Sequence, residues 1–223
     1  RIDAALADPQ VSGILLDLDS PGGEAGGVFE LAERIRAAND IKPVWAHAND
    51  SAYSAAYAIA AAASRLTLSQ TAGVGSIGVI AQLPNFNKLL KKHDIEFEMH
   101  TAGQYKRTIT MFGENDDLGR EKFREELGAI HERFKGFVAE HRPNLDIDKV
   151  TTGEHWLASQ AKQLGLVDAL CTSDDYLLAQ ASHHKVVGIS YRKPKSLTQR
   201  LGQQGAQALE GALGRLWQQS PWR

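Results

Sequence analysis

The sequence holds one cysteine, Cys171, so no intrachain disulfide can form and packing alone must hold the core. It contains no apolar run near the roughly 20 residues that a membrane-spanning helix requires. The longest, Ala55 to Ala63, is short and dominated by alanine. Positive charge is not in excess: 25 Lys and Arg face 27 Asp and Glu, for a net charge of -2, and no basic run is interleaved with aromatics. That removes nucleic acid from the expected partners. No histidine sits in a motif of its own, and the adjacent His183 and His184 would project to different sides of a strand or helix, so neither a metal site nor a cofactor is implied. What remains is 223 residues, enough for one large domain or two small ones that fold without staples. At the first residue, Arg1, a helix face of Ile2, Ala5 and Leu6 is already under way, which reads as a fragment or processed chain whose N-terminus, with any anchor or signal, is missing.

The run 12–18, almost continuously apolar between turn residues, reads as a buried parallel strand. Asp19-Ser20-Pro21-Gly22-Gly23 ends it, and two glycines after a proline free the backbone for positive φ and for close approach to a ligand. Val28, Leu31, Ala32 and Ile35 then recur at helical spacing, predicting a helix over Glu24 to Ala38. Pro43 to Ala48 is a second strand, leading into a turn at Ser54. Two strand–turn–helix units thus present a glycine turn and a serine turn at the strand ends, the edge at which open α/β sheets bind ligands. Taken alone, the glycine turn is equally a plain connection.

The pattern further predicts strands at Leu66–Leu68, Ser76–Gln82 and Ile95–His100, with Gly73-Val74-Gly75 as a separator and a helix at Asn85–Lys92. Thr101 to Asn115 has no clear period. A charged helix from Leu118 to His141 carries Phe123, Leu127, Ile130, Phe134, Phe137 and Val138 on one face and is stopped by Pro143. One helical turn is expected at Asp146–Val150 and a helix at Ser159–Leu164. A strand follows at Leu166–Leu170, then a helix at Ser173–Ala181 capped by Ser173, and a final strand at Val186–Tyr191. Beyond Pro194, Leu197, Leu201, Ala208, Leu213 and Trp217 fall on one helical face. This amphipathic tail would dock on its own body or a neighbouring subunit, or lie on a membrane surface with Arg200, Arg215, Trp217 and Trp222 at the interface.

The chain is organised around Asn49 to Ala81. Ser54 stands at the head of an alanine-rich helix, with the small residues Ala52 and Ala56 on either side, so a strand can turn sharply into a helix with the hydroxyl at the apex. Free N–H groups at that helix start suit a developing oxyanion. Ser54 reads equally well as the N-cap of a buried helix.

Ser20-Pro21-Gly22-Gly23, Ser54-Ala55-Ala56-Tyr57, Gly75-Ser76-Ile77-Gly78 and Gly103-Gln104-Tyr105-Lys106, in this order, resemble the signal peptide peptidase A family of serine proteases. From Pro84 the likeness runs through H-T-A-G-Q-Y-K-R-T, G-R-E-K-F-R-E-E-L and T-G-E-H-W to the tail. The resemblance implies an α/β fold of ClpP/crotonase type, built of stacked ββα units, over residues 1–192, with the amphipathic helical tail at 193–223. It implies a serine endopeptidase with Ser54 as nucleophile and Lys106 as general base. Ser76 would hold the lysine amine in line, and the amides of Gly23 and Ala55 would form the oxyanion hole. A lysine serves as base only as the free amine, which takes desolvation or a nearby positive charge; Arg107 is the neighbouring cation.

The implied substrates are signal peptides or other short unfolded apolar peptides, cleaved through an acyl-enzyme. The implied partner is further copies of the chain, in a ring-like homo-oligomer associated with the bacterial inner membrane through the missing N-terminus or the tail. One departure is visible: the family's Ala-Ser-Gly-Gly-Tyr is here Ser54-Ala55-Ala56-Tyr57, resembling the phage capsid-maturation branch, and alanine lacks glycine's freedom at positive φ. The readings kept beside the peptidase are a crotonase-like acyl-CoA enzyme, an inactive scaffold, and a triad drawing on His47, His100, His131 or His155 with Asp17 or Asp19.

Overall fold

The computed structural model describes residues 1–189. Arg1–His183 form one compact unit; a second begins at His184, and its described residues 184–189 carry no regular secondary structure. The strand expected at Val186–Tyr191 is therefore absent over 186–189, and the tail at 193–223 lies outside the described residues.

The predicted α/β architecture is present. After α1 (Ile2–Ala7), the apolar run forms β1 (Ile14–Ser20). Helix α2 (Val28–Asn39) starts later than its periodicity predicts, because Gly27 at its N-cap holds φ 79°, a left-handed conformation that no helix continues through. Strand β2 (Val44–Tyr53) runs past the predicted end to the residue before Ser54, and α3 (Ala55–Ala61) begins directly after that serine. β3 (Arg65–Leu68) and β4 (Gly73–Gly75) follow.

β2 organises the sheet. β1 takes one of its edges in parallel, while the other is shared in succession by β3, opposite Trp45 to Ala48, and β4, opposite Ser51 to Tyr53. One strand serving two neighbours on one edge curls the sheet. β4 goes on to pair antiparallel with β5 (His155–Leu157), and β3 pairs in parallel with β6 (Ala169–Leu170).

Over this sheet pack α2 and α3, and α5 (Asp117–His141) lies against α3. Helix α3 is buried along Ala56, Tyr57, Ala58, Ala60 and Ala61; alanines there let its neighbours close in, with Val28, Ala32 and Ile35 from α2 and Phe134, Phe137 and Val138 from α5 completing the core. Phe29 joins α2 to α5, its ring 5.8 Å from Phe134 and 5.6 Å from Phe137. Truncating a residue such as Ile35 to alanine in this packing costs about 2–5 kcal/mol. The fully buried Tyr57 donates its hydroxyl to the Leu166 carbonyl at 2.9 Å, and burial pushes its phenol well above the usual tyrosine range.

Between β4 and α5 the chain differs from the expected pattern. No strand forms over 76–82 or 95–100; only α4 (Asn87–Lys92) is regular there. A strand needs a paired neighbour, and within this chain the segment 80–107 is almost wholly solvent-exposed, with Ile80, Leu83, Phe86, Ile95, Phe97 and Met99 at its surface. The strand instead falls on Gly73-Val74-Gly75. The remaining helices are α6 (Ile147–Val150), α7 (Ala158–Gln163) and α8 (Ser173–Ala181). The cap of α8 is Thr172 rather than Ser173, its hydroxyl accepting from the Asp175 amide. Among the described residues no helix is long and apolar enough to cross a membrane.

Candidate active site

Ser54 occupies the junction of β2 and α3 with φ 52° and ψ −121°, a conformation that side-chain-bearing residues rarely adopt and that costs of order 1–3 kcal/mol. It stands at the N-cap position, yet its hydroxyl makes no capping hydrogen bond. The Ser54 N–H donates to the Gly75 carbonyl at 2.8 Å, anchoring the turn to β4. The strain is confined to the serine: Ala55 and Ala56 already belong to the helix, so replacing the family's two glycines by alanines places no side chain at positive φ.

The glycine turn meets this serine directly. Gly22 holds φ 113°, and a Cβ built on it would lie 2.9 Å from the Ser54 Cβ and 3.2 Å from the Tyr53 carbonyl. Ser20 Oγ accepts the Gly22 N–H at 3.2 Å and fixes the turn. Gly23 opens onto free space, with nothing within 4 Å of its own Cβ position. Ala55, as first residue of α3, has an amide with no intrahelical acceptor. One hydroxyl and two backbone segments with donors thus converge from β1 and β2.

Ser76 directly follows β4, the strand whose Gly75 anchors the Ser54 turn; it holds φ 51° and donates its amide to the Glu154 carbonyl at 2.6 Å. Lys106 is elsewhere in character. It sits in an exposed loop closed by its own N–H to the Gly103 carbonyl at 3.1 Å, with the adjacent Tyr105 ring under Lys122 Nζ at 5.5 Å. Among the described residues no hydrogen bond joins its amine to Ser54 or Ser76. The structure therefore brings together Ser54, Ala55, Gly22, Gly23 and Ser76 and leaves Lys106 at the surface.

No histidine hydrogen-bonds Ser54 among the described residues. His47 is buried, with Nδ1 2.9 Å from Thr67 Oγ1 and Nε2 3.1 Å from Asn49 Oδ1. Exposed His100 faces Glu98, and the carboxylates of Asp17 and Asp19 engage Asn49 and Ser51. The triad reading has no geometry behind it.

The sequence matches the profile of peptidase family S49 over residues 36–187, a stretch that includes Ser54, Ser76 and Lys106. The chain belongs to peptidase family S49. Among curated S49-like relatives, the "Probable protease SohB" of Haemophilus influenzae is 41% identical over 196 residues, covering 87% of this chain and 56% of that protein. The "Capsid assembly protease C" of Escherichia phage lambda is 37% identical over 177 residues, covering 78% of this chain and 40% of that protein. The S49 chain thus spans just over half the length of the SohB proteins that it matches. Among solved structures, a mutant of a membrane-bound stomatin-specific protease in complex with a substrate peptide aligns with a TM-score of 0.49 and 15% identity, over 90% of this chain and 85% of that one.

Several residues around this candidate site are not evident from the sequence. Gly73 and Gly75 form a strand instead of a separator because neighbours press on them: side chains there would collide with the Tyr53 hydroxyl and, at 2.7 Å, with the Trp156 ring. Glycines inside a β pattern mark such close approaches, and that was the available signal. His155 is a neighbour of the site through the Tyr53 ring, 5.3 Å away, rather than through Ser54.

Proposed function

We propose that this chain is the catalytic portion of a serine endopeptidase working through a Ser54–Lys106 dyad. The observation that carries the reading is the uncapped Ser54 hydroxyl, held at φ 52° between an open Gly23 and the free start of α3. Backbone strain persists only where the surroundings over-determine it, and here it holds a hydroxyl against the glycine turn, its Oγ 3.4 Å from where a Cβ on Gly22 would lie.

Ser54 Oγ attacks the scissile carbonyl and yields its proton to the free amine of Lys106. The Gly23 and Ala55 amides hold the resulting oxyanion. Collapse of the tetrahedral species breaks the C–N bond as Lys106 returns the proton to the leaving amine. Water activated by the same amine then hydrolyses the Ser54 ester. Ser76, next to the Ser54 anchor, orients the lysine in this reading.

That arrival involves a second copy. The exposed Lys106 loop, together with the apolar residues Ile95, Phe97 and Met99 on an unpaired segment, supports a ring-like homo-oligomer in which the base of one site comes from a neighbouring subunit. The same apolar surroundings favour short, unfolded apolar peptides as substrates, signal peptides among them, and an inner-membrane-associated setting fits such a supply. A capsid-type protein substrate is the second reading, favoured by the likeness to the phage lambda protease.

A fluorophosphonate probe, which phosphonylates only an activated serine as fluoride leaves, tests the reading on the assembled protein. Labelling at Ser54 that disappears in Ser54→Ala supports it. An unlabelled Ser54 would leave a crotonase-like acyl-CoA enzyme or an inactive scaffold.

A further inference from the structure

The strands that carry the two halves of the site lose their backbone register just before reaching it. Leu18 of β1 lies opposite Ala48 of β2, but Ser20 lies opposite Ala52, so Asn49, Asp50 and Ser51 bulge against the single residue Asp19. A bulge interrupts the ladder and lets the two strands shift relative to each other. Any shift there moves Gly22 and Gly23, which follow β1, against Ser54, which follows β2.

Side chains bridge this gap. Ser51 Oγ donates to Asp19 Oδ1 at 2.9 Å, straight across the bulge. One step behind, Asn49 Nδ2 donates to Asp17 Oδ1 at 3.3 Å, while Asn49 Oδ1 accepts from Ser69 Oγ at 3.2 Å and faces buried His47. One step ahead, Ser20 Oγ holds the Gly22 amide. We infer that Asp19 and Ser51 form a positioning clasp, which sets the distance between the oxyanion donor on the glycine turn and the nucleophile on β2.

This rests on the serine-hydrolase reading above. The clasp touches no substrate; it acts through Gly22 and Gly23. Because oxyanion donors act on the transition state, misplacing them lowers kcat and leaves KM in place.

The test is steady-state kinetics with a peptide ester on the assembled protein, using Asp19→Ala, Ser51→Ala and the double variant, with Asp19→Asn and Ser51→Thr as conservative partners. Each alanine variant is expected to lower kcat by about tenfold to a hundredfold, on the scale at which a 1 Å misplacement acts. KM and the melting temperature should hardly move. The double variant should be no slower than the worse single one, since both remove the same bond. Asp19→Asn keeps an acceptor oxygen and Ser51→Thr keeps the donor, so each should recover most of the rate. Wild-type kcat in Ser51→Ala, a loss carried by KM, additive losses, or no recovery in the conservative pair would each overturn the clasp. Should Asp19→Ala fail to fold, Ser51→Ala, which removes one hydroxyl, decides alone. A wild-type protein whose Ser54 ignores the fluorophosphonate overturns the hydrolase reading and the clasp together. A labelled wild type with unaffected variants overturns the clasp only.

Discussion

Gly22 stands so close to Ser54 that a methyl group on the glycine would come within 2.9 Å of the serine Cβ, and its φ of 113° is one that an alanine resists. Gly22→Ala should therefore lose activity and destabilise the fold by about 1–3 kcal/mol. Gly23 differs in both respects: it is not at positive φ and has open space where a Cβ would go. Gly23→Ala keeps its backbone donor and should fold like the wild type. Paired melting curves and fluorophosphonate labelling check the contrast; equal damage from both substitutions would show that the turn is not seated against Ser54.

Ser54 itself separates activity from stability. Ser54→Ala removes the hydroxyl but keeps a side chain at φ 52°, so hydrolysis should vanish while the melting temperature stays near that of the wild type. Ser54→Gly also abolishes hydrolysis but relieves the backbone, and should be more stable than Ser54→Ala by roughly 1 kcal/mol. More than a few per cent of residual activity in either would remove Ser54 as nucleophile. A glycine variant less stable than the alanine one would show that the turn is not strained.

Local pattern carried much of this architecture. The apolar run of β1, the periodic face of α2, the serine turn into α3 and the long α5 are all legible, because each buries a regular apolar face or breaks at a glycine or proline. What the pattern misplaced depends on partners distant in sequence. β4 is a strand of two glycines and one valine, made so by Tyr53 and Trp156 packing on it; the alternating run at 95–100 pairs with no strand among the described residues and stays out of the sheet. In the site, the converging turns at Gly22 and Ser54 were expected from the glycine and serine signals. The Asp19–Ser51 bond was not, since a bulge is a property of two strands rather than of either sequence.

The buried Tyr57 gives a pH prediction that does not involve the dyad. Burial, chiefly, raises its phenol; Arg142 acts against the shift and Asp168 with it. Unfolded tyrosine ionises near pH 10, while the folded protein still holds the proton. Above that pH the native state binds more protons than the unfolded one, so stability falls as pH rises from about 10 toward the folded-state value. Tyr57→Phe loses the bond to the Leu166 carbonyl, costing about 1–3 kcal/mol for the acceptor left behind at neutral pH. It should, however, lose less stability than the wild type between pH 9 and 11 on denaturant titration. Parallel declines in the two proteins would mean that Tyr57 ionises freely in the fold.

Lys106 tests the assembly. Its side chain is exposed and its loop is held by its backbone and by the Tyr105–Lys122 contact, so Lys106→Ala should leave the melting temperature unchanged while abolishing hydrolysis. If the base reaches Ser54 from a neighbouring subunit, two inactive proteins should make an active one. Mixed under conditions that exchange subunits, Ser54→Ala and Lys106→Ala chains form some interfaces where an intact Ser54 faces an intact Lys106. With random exchange, about a quarter of sites would be complete if each draws on two chains. The measurement is peptide-ester hydrolysis before and after mixing, with exchange followed by a mass tag on one variant. Proven exchange without recovered activity, or full activity in a monomeric sample, would show that each chain carries its own complete dyad, and that the Lys106 loop must fold back onto Ser54 within one subunit.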